Sequence, residues 1–354
     1  MTTLPTLRWG IISCGWISTE VVKDLILTRP NPKANHIIQA IGCSSIAKGK
    51  EFVAKNIPHL SPTIYGSYQE CYNDPNVDLI YIGTPHSFHK QNCLDAIAAG
   101  KHILCEKAFT LNVIEAKEVF AAAKQKGVFV MEAMWTRFFP VTQTLQRLLH
   151  EEKIVGDIVR AFVDFGLDFD IKGKGPESRL KNLELGAGSL LDIGIYSLTW
   201  GLLCLDSKIG EEADKPKVVA LQSLDEGVDL TSSMVLLYPK TGRQGILTSS
   251  FSVKSQPSFA RIEGSKGTLY VDGEATSVPQ SLRFVPKGSD EKEQVFEFDK
   301  PGSGFYFEAD AVALDIQAER TENAVMPWAE TIRVLEILDG VRRDNGVVFP
   351  QEKS

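Results

Sequence analysis

Residues 8–18 read Arg-Trp-Gly-Ile-Ile-Ser-Cys-Gly-Trp-Ile-Ser, RWGIISCGWIS. The apolar run to Ile12 reads as a strand, and Ile17, Val21, Leu25 and Ile26 then recur at helical spacing. The turn between them stands where a dinucleotide-binding loop would carry G-x-G-x-x-G/A. Here it reads Ser13-Cys14-Gly15-Trp16-Ile17-Ser18, so only the middle glycine, Gly15, is kept. That glycine is the one that lets the backbone approach a pyrophosphate. The helix behind it offers free N–H groups to the phosphates. The stretch alone reads about equally well as an ordinary strand–turn–helix. Its place as the first strand of a βαβ unit favours the binding loop.

The rest of the first third continues that series. HIIQAIGCS, TIYG, VDLIYIGT, HILCEK and VFVMEAMW are strand-like and alternate with helical stretches, two of which stop at Gly100 and Gly127. Strands apolar on both faces, each followed by a helix, indicate a parallel sheet covered on both sides. The expected fold class is therefore α/β, with a doubly wound, Rossmann-like domain over 1–135. From 136 the pattern changes. DIVRAFVDFGL, KPKVVALQSL, SSMVLLYP, RQGILTSSFSV, SFARIEGS and GTLYVDG follow one another, with one helical interruption at SLLDIGIYSLTWGLL. This predicts a second, α+β domain over 136–354 with a large, mainly antiparallel, open-faced sheet. DIKGKGPESR (170–179) and PKGSDEKE (286–293) read as its flexible loops.

Bulk properties exclude several classes. The chain has 354 residues, too many for one ordinary core, and 43% hydrophobic and 23% charged residues, as soluble proteins have. Its net charge of -7 and lack of a Lys/Arg block argue against nucleic acid. No signal sequence or membrane span is legible. The six scattered cysteines read as free thiols in a reducing compartment, hence a cytoplasmic protein. His86 and His89 stand three apart but without a carboxylate or thiol cluster, so no metal is expected and both read as surface or loop residues.

The end of the second strand indicates the cofactor. An enzyme of the NAD type places Asp or Glu there to grip the ribose 2′-hydroxyl. Residues 42–50 read GCSSIAKGK and contain no acid. Hydroxyls and ammonium groups suit a 2′-phosphate, so NADP is expected, with Ser44, Ser45 and Lys48 as contacts. Ligands bind beyond the carboxyl ends of such strands. That places Thr84, Pro85, His86 and His89 of GTPHSFH, and Glu106 and Lys107 of CEKAF, on the cofactor rim.

RWGIISCGWIS, TPHSFHKQN, AGKHILCEKAFTLN, FVMEAMWTRFFP, GAGSLLDIGIYSLTW, RIEGSKGTLYV and GVVFPQEKS together resemble the glucose-fructose oxidoreductase-like group (Gfo/Idh/MocA). Within it they look most like the branch of dimeric dihydrodiol dehydrogenases and NADP-dependent D-xylose 1-dehydrogenases. The resemblance runs in order over nearly the whole chain. It implies hydride transfer between NADP and a sugar or diol carbon, and a homodimer packed through the sheet face. Ala108 stands where many members carry proline, so a trans bond is expected before it.

Oxidising a hydroxyl requires a base for its proton and positive charge for the developing oxyanion. DIGIYSL offers Asp192 and Tyr196, four apart and on one helical face. A phenol titrates near ~10 and needs a nearby ammonium to act as a base at neutral pH. Lys107 is that ammonium if the two domains face a common cleft. The resemblance implies the same roles: Tyr196 as acid/base and Lys107 as its tuning and orienting group. Asp192 would orient Lys107 or a substrate hydroxyl. Trp135 and Arg137 of MWTRFFP, and Arg179, are candidate substrate contacts, with interdomain packing the other reading of Trp135. The competing readings of function are a reductase of a dicarbonyl or keto-sugar, and a non-catalytic NADP-binding regulator.

Overall fold

The computed structural model describes residues 4–288 and 292–353. The chain divides into two compact units, one made of 1–135 with 300–331 and the other of 136–299 with 332–354.

In the first unit the strands are β1 (Thr6–Ile12), β2 (Asn35–Gly42), β3 (Thr63–Tyr65), β4 (Leu79–Ile82), β5 (His102–Glu106) and β6 (Val130–Ala133). The helices between them are α1 (Trp16–Leu25), α2 (Ile46–Asn56), α3 (Tyr68–Tyr72), α4 (His86–Ala98) and α5 (Val113–Lys126). The sheet order is β3-β2-β1-β4-β5-β6 and every pair is parallel. This is the doubly wound arrangement, with its order reversing between β1 and β4. All four residues of β4 and of β6 are buried, as helices on both faces require.

The second unit opens with α6 (Pro140–Gln146), whose proline occupies the first helical position. It continues through β7 (Ile158–Gly166) to a π turn at Leu190–Gly194, which runs directly into α7 (Ile195–Leu205). Then follow β8 (Lys217–Asp225), β9 (Val228–Leu237), β10 (Gln244–Ser250), β11 (Ser258–Gly264), β12 (Gly267–Ala275), β13 (Val278–Pro286) and β14 (Gln294–Glu297). The eight strands form one sheet in the order β14-β13-β12-β11-β7-β10-β9-β8. Among the described residues only β10 and β7 pair in parallel, so the sheet is mainly antiparallel as the sequence predicts. β13 and β14 were not expected. They add a hairpin to the edge around part of the 286–293 loop, of which 289–291 lie outside the described residues.

One face of this sheet is covered by α7. Ser197 Oγ donates to the Thr248 carbonyl at 2.7 Å and Trp200 Nε1 to the Thr276 carbonyl at 2.8 Å. The stretch Leu183–Leu205 is apolar and long enough to cross a membrane, yet every residue from Gly186 to Leu205 is buried. The opposite face leaves Val219, Leu221 and Val235 exposed and carries Phe162 under the Arg160 and Arg261 guanidiniums.

The chain then contributes 300–331 to the first unit, although the change of sequence pattern at 136 points to the second domain for this segment. Its helix α8 (Tyr306–Gln317) is tied down by buried charges that have no local signature in the sequence. Asp24 of α1 accepts from the backbone N–H groups of Ser303, Gly304 and Tyr306. Asp310 pairs with Arg29 at 2.6 Å and with His36 at 3.0 Å. The last helix is α9 (Trp328–Asp344).

Candidate active site

The loop after β1 explains how the incomplete fingerprint works. Ser13, at the first glycine position, has φ of 86°, in the left-handed region where glycine is the usual occupant. Its side chain contributes something glycine lacks, because Ser13 Oγ accepts from the Gly15 N–H at 3.2 Å. Gly15 is the N-cap of α1, so the helix begins with unsatisfied N–H groups facing the loop. Ser18, at the third position, is buried against Gly83, where an added Cβ would collide with the serine hydroxyl. Small residues here allow α1 to lie close to β4.

A cavity of about 710 Å³ lies along this loop. It gathers Ser13, Cys14, Gly15, Trp16, Ser44 and Lys48 of the predicted contacts, and adds Lys23, Cys43, Phe52 and Tyr68. Ile17, although in the same loop, is not in its lining. Lys48 Nζ donates to Ser44 Oγ at 3.2 Å, which sets an exposed ammonium and a hydroxyl together just beyond β2. Ser45 instead caps α2, its hydroxyl accepting from the Lys48 N–H at 3.3 Å. The hydroxyl and ammonium donors of Ser44 and Lys48, with Lys23 and Lys55 also in the lining, fit a dinucleotide with a 2′-phosphate, and the cavity wall carries two carboxylates as well, Glu20 and Glu51.

The expectation of six free thiols is corrected here. Cys14 and Cys43 form a disulfide across the two loops, with their Cα atoms 6.3 Å apart. Cys71, Cys93, Cys105 and Cys204 are free and buried. The parallel pairing of β1 with β2 brings residues 29 apart in the sequence to the same sheet edge.

Beyond β4 and β5 the two remaining loops are locked to each other. His89 is fully buried, with Nε2 2.7 Å from the Thr84 carbonyl and Nδ1 2.9 Å from the Ala108 carbonyl. Burial holds its pKa below the ordinary histidine value. This overturns its reading as a surface residue, and both ring nitrogens face loop carbonyls. His86 is also buried, edge-on to His89. Thr84 Oγ1 accepts from Asn92, while Pro85 is the N-cap of α4.

The Lys107–Ala108 peptide is cis, against the expectation of a trans bond. Hydrogen bonds hold the loop on both sides of it. His89 meets the Ala108 carbonyl, and the Phe109 N–H donates to Glu132 Oε1 at 3.0 Å. Glu132 is itself fixed by Thr331 Oγ1 at 2.9 Å. Nothing in the local sequence MEAMW marks Glu132 for this part. Glu106 is buried and accepts from the Tyr81 hydroxyl at 2.7 Å. Burial, and then the Glu106 charge, raise the Glu308 carboxyl well above its usual range. Lys107 is half-buried at the end of this strand.

In the second unit, Asp192 lies inside the π turn and Tyr196 is the second residue of α7. The expected uniform α-helix is thus a wider turn at this point, a feature often found at functional sites. Tyr196 is buried edge-on to Phe165. Arg179 reaches Asp192 from the 170–179 loop, its Nη1 3.2 Å from Asp192 Oδ2. Two candidates 13 positions apart, with no motif in common, are therefore a pair.

Trp135 and Arg137 are not open platforms. Trp135 stacks on Phe305 with ring centroids 4.0 Å apart, and Arg137 is 2% exposed. Stacking occupies one face of the indole.

The fold and the loop chemistry define a nucleotide-dependent oxidoreductase of two parts. The profile for "Oxidoreductase family, NAD-binding Rossmann fold" matches residues 7–134, and that of the GFO/IDH/MocA C-terminal domain matches 142–270. The chain belongs to the GFO/IDH/MocA oxidoreductase family. It is 32% identical to the D-xylose 1-dehydrogenase (NADP(+)) of Hypocrea jecorina, over 98% of this chain and 94% of that one. It is 36% identical to the trans-1,2-dihydrobenzene-1,2-diol dehydrogenase of Mus musculus, over 98% and 99%. Among solved structures, an aldose-aldose oxidoreductase from Caulobacter crescentus, complexed with glycerol, superposes with a TM-score of 0.80. Its identity is 24%, with 96% of this chain and 97% of that one covered. A 3-ketoreductase from Actinomadura kijaniata, in complex with NADP, gives 0.79 at 20% identity over 96% and 97%.

Proposed function

We propose that the protein is an NADP-dependent dehydrogenase that oxidises the C1 hydroxyl of an aldose, with D-xylose to D-xylonolactone as the reaction. Trans-dihydrodiols of aromatic hydrocarbons are a second substrate class, supported by the similarity to dihydrodiol dehydrogenases. The observation that carries the reading is end-to-end similarity to an NADP-dependent xylose dehydrogenase, with Lys107 and Tyr196 both present.

Ser44 and Lys48 hold the 2′-phosphate, and the Ser13–Gly15 loop and the start of α1 hold the pyrophosphate. Bound nicotinamide supplies the hydride acceptor. Tyr196 takes the hydroxyl proton, and Lys107 supplies positive charge for the oxyanion that develops. Asp192, paired with Arg179, orients a substrate hydroxyl. The apolar residues Val219, Leu221 and Val235 on the sheet face support a homodimer through that face.

The test is a panel of D-xylose, D-glucose, L-arabinose and a trans-dihydrodiol, each with NADP and with NAD, read as reduced cofactor formed. Turnover of D-xylose with NADP at the highest kcat/KM supports the reading. No turnover of any of these despite NADP binding rejects it.

A further inference from the structure

Asp229, on β9, is 2% exposed and has no role in the reaction described above. One oxygen of its carboxylate, Oδ2, collects three donors. These are the Leu190 N–H at 2.7 Å, Ser189 Oγ at 2.8 Å and Ser232 Oγ at 3.2 Å. Ser189 also lies 3.3 Å from Ser249 Oγ, and all three serines are fully buried. Leu190 opens the π turn that holds Asp192, and this turn continues without a break into the helix bearing Tyr196.

Close contacts on either side fit this support tightly. Gly188 has φ of 138°, and a Cβ there would collide with Asp229 Oδ1. A Cβ at Gly194 would lie 2.9 Å from Ser249 Oγ. The π turn is thus seated on a carboxylate and three hydroxyls, two of them from the adjacent strands. A buried carboxylate is a costly way to begin a helix that apolar packing alone would hold. Burial pushes the Asp229 carboxyl up to about 6, while the hydrogen bonds from Leu190, Ser189 and Ser232 act to lower it by favouring the charged form. Hydrogen bonds to an ionised acceptor are the shorter and stronger kind, which suits fixing a backbone in one position.

We propose that Asp229 is a positioning residue for the reaction: by holding Ser189 and Leu190 it fixes the π turn, and so the aim of Asp192 and Tyr196. This rests on the reading of Tyr196 as the acid/base. A displacement of the order of an ångström at reacting groups is enough to lower a rate by about a hundredfold.

The test compares Asp229→Ala, Asp229→Asn, Ser189→Ala and Tyr196→Phe with the wild type, by kcat for the sugar and Kd for NADPH. The expected result is a kcat at least about tenfold lower in Asp229→Ala, with Kd for NADPH unchanged. Asp229→Asn, which keeps an acceptor oxygen, recovers most of that loss, and Ser189→Ala lies between. An unchanged Kd shows that the nucleotide-binding unit is folded, and far-ultraviolet circular dichroism reports the rest. If Asp229→Ala or Ser189→Ala does not fold, Asp229→Asn at pH 5 and pH 8 carries the test: its kcat ratio to wild type should move towards one at pH 5, where the wild-type group is protonated. Wild-type kcat in the folded Asp229 variants, while Tyr196→Phe is inactive, overturns the positioning role alone. Full activity of Tyr196→Phe overturns the acid/base reading on which it rests.

Discussion

The Arg179 guanidinium lies 3.2 Å from the Asp192 carboxylate, joining a loop that the sequence marks as flexible to the π turn before Tyr196. Asp192 is almost completely buried whereas half of the Arg179 side chain meets solvent. The arginine is therefore hydrated and screened, and the pair is worth no more than about 1 kcal/mol to stability. Its effect should fall on the substrate instead. Arg179→Ala is expected to raise KM for the sugar several-fold with little change in melting temperature. Asp192→Asn is expected to lower kcat/KM further than Arg179→Ala, because it alters the buried partner. A loss of melting temperature without a change in KM would assign the pair a structural role only.

Lys48 and Ser44 should set the choice of cofactor. A hydrogen bond to a charged group is worth about 1.5–3 kcal/mol, which corresponds to roughly ten- to a hundredfold in binding. Lys48→Ala should raise KM for NADP by that factor and leave KM for NAD unchanged. Ser44→Asp should go further and favour NAD, since a carboxylate repels the 2′-phosphate and accepts from a 2′-hydroxyl. Steady-state kinetics with both cofactors measure this. Equal losses for NADP and NAD would place the 2′-phosphate elsewhere.

Asp229 gives the stability curve a definite slope. Its native pKa, raised by burial to about 6, lies above the ordinary carboxyl value near ~3.9, so the folded state holds the proton more tightly. The contribution of this group is therefore complete below about pH 4 and is lost as pH rises towards 6, amounting to on the order of 3 kcal/mol. Urea denaturation of wild type and Asp229→Asn between pH 4 and pH 7 isolates it. The difference between the two proteins should shift in favour of the Asn variant as pH rises, and then level off. A pH-independent difference would mean that Asp229 titrates normally.

The Cys14–Cys43 disulfide predicts a thiol count. Alkylation in denaturant without reductant should label four cysteines, Cys71, Cys93, Cys105 and Cys204, and all six after reduction. Mass spectrometry of peptides carrying Cys14 and Cys43 identifies the pair. Six labelled cysteines before reduction would show the two thiols to be unlinked.

Much of this architecture was legible because period and punctuation carry it. Apolar strands such as VDLIYI, each followed by a helix, specify a parallel sheet without reference to distant residues. Gly15 and the absent acid after β2 could be read for the same reason. What escaped the sequence depends on groups far apart in the chain. Glu132 meets Phe109, Asp24 gathers the 303–306 backbone, and Asp229 supports Leu190 across 39 positions. A buried carboxylate has no periodic signature, and its partners are backbone N–H groups that nearly every residue supplies. The burial of His89 was hidden for a related reason: a histidine in a turn-rich stretch reads as exposed, and only the distant Ala108 carbonyl and the Thr84 carbonyl reveal it as a tie between loops. The π turn was also hidden, because DIGIYSL suits an α-helix equally well.

In the proposed NADP-linked oxidation Tyr196 exchanges the substrate proton. This role is tested most directly by comparing wild type with Tyr196→Phe for NADPH formation from D-xylose across pH, with NADPH affinity measured alongside. Tyr196→Phe is expected to lose at least about a hundredfold in kcat, within the range general acid–base groups contribute, while binding NADPH as the wild type does. A Tyr196→Phe protein that turns over D-xylose at the wild-type rate would contradict it.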